Sequence, residues 1–277
     1  MNSRFTLLAL VPLLLTSHIV AAQTPTCDAL PAEKKQQATV LMNEQRLYAC
    51  CDGTISACLK ENKCSLATRL ANQVCRMVGT GKDKPTIERA LAKRAETMTS
   101  VSTVPIDISR APRVGEAQAP VSVSMYLCTR CPYCARFAPQ LHKAISEGPL
   151  KGVAKAYVRE FPIRSHAGST EGAMGIKAAE RMGRGWDFLL AIYRNYDQFD
   201  PANMPKIAAD LGLDQERFSN LLQDEALRSE LAATKKEGVR NNVELTPTIF
   251  INGRKYAGEM TIETISDVIA EEAERLK

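Results

Sequence analysis

Six of the nine cysteines, Cys27, Cys50, Cys51, Cys58, Cys64 and Cys75, fall early in the chain, and the other three, Cys128, Cys131 and Cys134, fall within seven residues of one another. That division constrains the fold more than any other feature. Cysteines scattered through a small region read as staples, whereas three at equal spacing read as chemistry. The opening residues set the redox setting. Arg4, the apolar run "FTLLALVPLLL" and the small residues "VAA" before Gln23 read as a signal peptide, residues 1–22, cleaved after Ala22. A periplasmic or secreted location follows, where thiols become disulfides unless chemistry prevents it.

Composition excludes several classes. With 45% hydrophobic and 24% charged residues in 277 positions, the chain is globular and long enough for one core or two. The formal net charge is +5, one less once Arg4 is removed, with no dense basic block and 5% aromatics. Nucleic acid is therefore not an expected partner. No segment after the first is long and apolar enough to span a bilayer.

Periodicity divides the chain in two. "PAEKKQQATVLMNEQRLYA" (31–49), "SLATRLANQVCRMV" and "TIERALAKRAETM" place apolar residues at helical spacing. Residues 23–100 are thus expected to form a small all-α, cysteine-rich domain. After the polar, β-branched linker "TSVSTVP" the period changes. "VSVSMYL" (121–127) and "VAKAYVREF" read as strands, residues of about 169–238 as a helical insertion with stops at Gly183 and Gly212, and "TPTIFINGRKYAG" as two strands joined by the hairpin signal Asn252-Gly253. A final amphipathic helix starts near Thr261 as N-cap. Residues 101–277 are an α/β domain by this order of elements.

The stretch "CTRCPYCARFAP" (128–139) decides the chemistry. An iron–sulfur run needs a fourth cysteine where this chain has Ala138-Pro139, and His18, His142 and His166 show no ligand spacing to Cys131, so no metal is expected. An inert disulfide would explain the spacing but nothing else. In the redox reading Cys131 ends a strand-to-helix turn, where unpaired amides and the helix dipole favour a thiolate and lower its pKa from about 8.5 to between roughly 3.5 and 7.5. Pro132 fits the first helical position, where its missing N–H costs nothing. Cys134, one turn inside, can reach Cys131 and displace whatever binds it.

At these residues the chain resembles a known family. "APVSVSMYLCTRCPYCARFAP", "VREFPIRSHAG" and "TPTIFINGRKYAG" are similar, in this order, to the bacterial DsbA-like thiol–disulfide oxidoreductases, which have a thioredoxin-like fold with a helical insertion. The resemblance covers about residues 104–277. It implies that Cys131 attacks, that Cys134 resolves, and that Pro132 and Tyr133 form the active-site dipeptide. It further implies that Thr246 and Pro247 form the cis-proline loop, whose backbone pairs with an extended substrate segment. One position departs from the pattern: Met125 stands where many relatives carry a buried acid.

The helical domain more faintly resembles the CcmH-type domain of cytochrome c maturation, with Cys50-Cys51 in place of that family's C-x-x-C. Its six cysteines are structural disulfide candidates, and three bridges among them can form in 15 ways. Cys128 is the odd one of nine. It is expected to pack as a small hydrophobe, with a disulfide to Cys131 or a bridge to the helical domain as alternatives. The sequence thus points to an exported oxidoreductase that needs no cofactor and exchanges disulfides with protein substrates through its CPYC dithiol. The oxidase direction is favoured, and a redox partner, membrane-bound or soluble, is implied. Reduction or isomerisation on the same fold, a non-catalytic module for cytochrome c maturation or metal delivery, and oligomerisation through the helical domain stay open.

Overall fold

The computed structural model describes residues 26–62 and 64–277, and the expected signal peptide, residues 1–22, lies outside them. After a 3-10 turn the chain forms α1 (Ala32–Glu44), α2 (Ile55–Glu61), α3 (Ser65–Gly79) and α4 (Lys84–Thr99). These helices close over a core that includes Ala38, Leu41, Ile55, Leu70, Val74, Met77 and Ile87. Three disulfides cross it: Cys27–Cys75, Cys50–Cys64 and Cys51–Cys58. Asp83 caps α4 by accepting from the Thr86 amide (3.0 Å), and Pro85 sits in its first turn.

The first helix is shorter than its periodicity suggests. α1 stops at Glu44, and the chain folds back so that the Leu47 amide donates to the Gly53 carbonyl (3.1 Å) and the Ile55 amide to the Gln45 carbonyl (2.9 Å). Adjacent Cys50 and Cys51 are tied to different partners, Cys64 and Cys58. α2 follows at once, its N-cap Thr54 accepting from the Ala57 amide at 3.3 Å.

Beyond an extended linker come β1 (Arg113–Val114), β2 (Val121–Leu127), α5 (Pro132–Ser146) and β3 (Ala154–Glu160). The insertion comprises α6 (Ser169–Glu180), α7 (Gly185–Arg194), α8 (Met204–Asp210), α9 (Gln215–Leu222) and α10 (Glu225–Arg240). Gly183 and Gly212 stop helices in the left-handed region, at φ 78° and 76°. Then β4 (Thr248–Ile251) and β5 (Arg254–Lys255) form the hairpin, and α11 (Ile262–Arg275), capped by Thr261, ends the chain.

The sheet order is β1-β3-β2-β4-β5, with β2 and β3 parallel and the other pairs antiparallel. Met125 lies opposite Val158 and Ile249, placing the C-terminal end of β2 at the centre of the sheet. One face, with Val123, Met125 and Leu127, shares its core with α5, the insertion and α11. On the other face Tyr126 meets Phe161 and Phe250 edge-on, at 6.2 and 5.7 Å between ring centroids.

The helical domain is fastened to α11 by charge. Arg94, with no exposed surface, reaches Glu271 (3.0 Å) and the Gln73 side-chain carbonyl (3.0 Å), and the Tyr48 hydroxyl donates to the same carboxylate (2.6 Å). Arg76 pairs with Asp267 at 3.1 Å, and Arg69 with Glu274. A buried guanidinium without its counter-charge is costly. Glu271→Ala should therefore cost about 3 kcal/mol or more of unfolding free energy in urea titration. The pair Arg94→Met and Glu271→Leu together should cost less than Glu271→Ala alone.

Candidate active site

β2 ends at Leu127, whose carbonyl accepts from the Phe161 amide (2.7 Å), and residues 128–130 turn the chain into α5. Cys131 is the N-cap: its amide donates to the Cys128 carbonyl (3.1 Å), and its own carbonyl accepts from Ala135 (3.0 Å). Its sulfur therefore lies at the open amides of the helix start. The Thr246–Pro247 peptide bond is cis, and the Cys131 thiol donates to the Thr246 carbonyl at 3.2 Å. So the dithiol and the proline loop, 115 residues apart, face one another. Pro132 and Tyr133 are exposed, Tyr133 by 63%, while Cys131 and Cys134 are 4% and 0% exposed.

The two sulfurs are unequal. The Cys131 pKa falls to about 5, chiefly through a hydrogen bond from Cys134. Burial opposes the fall, and the Thr246 side chain and the amides of Cys134 and Tyr133 assist it. Cys134 is pushed well above the usual thiol range by burial first, then by its bond to Cys131. Met125 is wholly buried in β2, and the chief groups acting on the Cys134 thiol are Cys131, the Cys128 backbone and Thr246, with no carboxylate among these.

The insertion holds this turn in ways no motif announces. Arg130 donates to the carbonyls of Tyr196 (3.2 Å) and Phe199 (3.1 Å), its guanidinium lying 5.6 and 5.8 Å from the two ring centroids. In return the Tyr196 hydroxyl donates to the Arg130 carbonyl (2.9 Å). The buried Tyr193 hydroxyl donates to the Cys128 carbonyl (3.0 Å). Thr129 donates to Ser169 (3.3 Å) and packs so closely on α6 that a Cβ at Gly172 would lie 2.5 Å from its hydroxyl. Only a glycine fits there.

Cys128 is 1% exposed, and burial raises its pKa. Its sulfur lies 3.3 Å from His166 Nδ1, a contact that sequence spacing does not reveal. His142 packs on Trp186 instead, 5.2 Å between centroids. The six remaining cysteines are paired within the helical domain. Among the described residues, no three His, Cys, Asp or Glu side chains form a potential metal cluster.

The family model that matches the chain is described as Thioredoxin and covers residues 109–271. Among solved structures the chain is similar to BdbD from Bacillus subtilis, with 21% identity, 62% of this chain and 97% of that one covered, and a TM-score of 0.55. It is also similar to the thiol-disulfide exchange protein α-DsbA2 from Wolbachia pipientis, with 17% identity, coverage of 69% and 98%, and a TM-score of 0.52. A curated relative, the Na(+)/H(+) antiporter NhaA 3 of Salinispora tropica, is 30% identical over 188 residues, which are 65% of this chain and 28% of that protein. The chain thus spans about a quarter of the length of such relatives. No helix among the described residues is long and apolar enough to cross a membrane.

The inequality of the thiols has a pH signature. Alkylation of the reduced protein by iodoacetamide should titrate with a midpoint near pH 5, with peptide mapping locating the label on Cys131. A thiol whose pKa falls on folding stabilises the folded state above its unfolded value of about 8.5, and that contribution is lost as pH drops through about 5. The disulfide form has no such contribution. Lowering pH from about 7.5 to about 4.5 should therefore destabilise the reduced form relative to the oxidised one, as read by paired urea titrations.

Proposed function

Because the chain belongs to the thioredoxin family, and shares the fold of its DsbA-like members, we propose that it is an exported thiol–disulfide oxidoreductase acting on protein substrates, in the oxidising direction. One observation carries this reading: Cys131 caps α5 with a pKa near 5, against the loop of a cis proline, while Cys134 is kept as a buried thiol one turn inside.

In the oxidised enzyme a substrate thiolate attacks Cys131, the less deeply buried sulfur of the Cys131–Cys134 disulfide, and Cys134 leaves as a thiolate that takes up a proton. A second substrate thiolate attacks the substrate sulfur of the mixed disulfide, and Cys131 leaves. The substrate has then lost two electrons and gained a disulfide, and the enzyme holds a dithiol that a redox partner must reoxidise. The low pKa of Cys131 makes it a good leaving group and stabilises the reduced enzyme, so the disulfide form is oxidising. Run in reverse the same steps reduce a substrate, and the Cys131 thiolate is then the nucleophile.

The three disulfides of the helical domain support an oxidising compartment, and with residues 1–22 they favour the periplasm. Tyr133 and Leu245, 63% and 75% exposed, supply an apolar rim for a substrate segment running along Thr246.

Cys131→Ser should abolish oxidation of a dithiol peptide, whereas Cys134→Ser should accumulate mixed disulfides visible by mass spectrometry. The equilibrium reduction potential against glutathione should lie well above the about −270 mV of thioredoxin, and a value near that figure would turn the proposed direction around. Cys128→Ala should leave activity and potential close to those of the wild type. A large shift in either would mean that all three cysteines take part.

A further inference from the structure

Two clefts meet at Met260 and Thr261. The first, about 330 Å³, is lined by Tyr133, Arg136, Pro247, Met260 and Glu263 and opens on the active site. The second, about 600 Å³, lies between the domains, with Lys82, Arg89 and Lys93 from the helical domain on one wall and Ala257 to Thr261 on the other. Met260 and Thr261 line both, so the clefts form one groove running from the cis-proline loop to α4.

The far end is built and charged. Its second wall is fixed by the Ala257 amide donating to Thr97 of α4 (3.2 Å) and by the buried Tyr256, whose hydroxyl donates to the Glu259 carbonyl (2.8 Å). Lys82, Arg89 and Lys93 are exposed and form no ion pair among the described residues. Arg89 and Lys93 stand four residues apart on one helix, where like charges repel. With Arg136 they put four cations along the groove against the carboxylates of Glu259 and Glu263. Met260, half-buried at the junction, is an unbranched thioether able to pack on varied side chains.

We propose that the helical domain extends the substrate site, and that this groove selects protein substrates carrying acidic residues in the extended segment beside the reacting cysteine. The inference rests on the oxidoreductase reading above. The substrate cysteine meets Cys131, its backbone lies along Thr246, and the segment passes over Met260 to the cations of α3–α4. An anionic segment there relieves the Arg89–Lys93 repulsion and is steered to the dithiol by the same field.

Two cysteine peptides test this, one with glutamates on both sides of the cysteine and one with glutamines in their place. Each reduces the oxidised protein, two peptide thiols becoming one peptide disulfide as Cys131–Cys134 becomes a dithiol. Each rate is divided by that peptide's rate with the uncharged 2-hydroxyethyl disulfide, which removes differences in intrinsic thiol reactivity without a charge effect of its own. The glutamate peptide should react about 5- to 10-fold faster at low salt, an advantage that shrinks as ionic strength rises. In the combined variant Lys82→Gln, Arg89→Gln, Lys93→Gln the ratio should fall toward one. Because the ratio is internal to each protein, a general loss of activity does not imitate that result. Parity of the two peptides in the wild type, or an advantage unchanged in the variant, overturns the inference and leaves the parent reading standing. A protein that exchanges disulfides with neither peptide nor with glutathione defeats both.

Discussion

Two thiols one helical turn apart would titrate almost alike in water, and here burial of Cys134 together with its hydrogen bond to Cys131 separates them. The hydrogen bond lowers one pKa and raises the other in a single contact. Everything nearby preserves the conditions for that contact. Burial keeps Cys134 from ionising, and the N-cap position offers Cys131 the amides of Tyr133 and Cys134. The Thr246 carbonyl, 3.2 Å from the sulfur, accepts its proton while Cys131 is a thiol. A sulfur displaced by a fraction of its van der Waals radius would lose these directed bonds together, which explains the number of contacts spent on a turn of three residues.

Those contacts assign the helical insertion a purpose. Arg130 is grasped from both ends, its side chain by the Tyr196 and Phe199 carbonyls and its backbone by the Tyr196 hydroxyl. Tyr193 and Ser169 hold Cys128 and Thr129 in the same way. The turn is therefore bolted to α6 and α7 on one side, while the proline loop and its exposed rim lie on the other.

What was legible in the sequence was what is local. The strand at 121–127, the Asn252-Gly253 hairpin, the Thr261 cap and the glycine stops each depend on residues a few positions apart. The arrangement of Cys131, Pro132 and Cys134 was readable for the same reason. Tyr193, Tyr196 and Phe199 were not, because they meet the cysteine turn from 65 to 69 residues away and belong to no motif. His166 escaped likewise, since its contact is with Cys128 and not with Cys131. The pairing of six cysteines is a property of helix packing that spacing cannot rank. Arg94 would pass for a solvated charge on an amphipathic helix, and only the arrival of α11 buries it.

That last dependence has a temporal side. A polypeptide is made from its N terminus, and the three bridges of the helical domain span 48, 14 and 7 residues, so all their cysteines emerge early. Glu271, the counter-charge for Arg94, comes 177 residues after it. Until then the face of α4 that will be buried must stay hydrated, and the domain waits, cross-linked but unsealed, for α11 to dock.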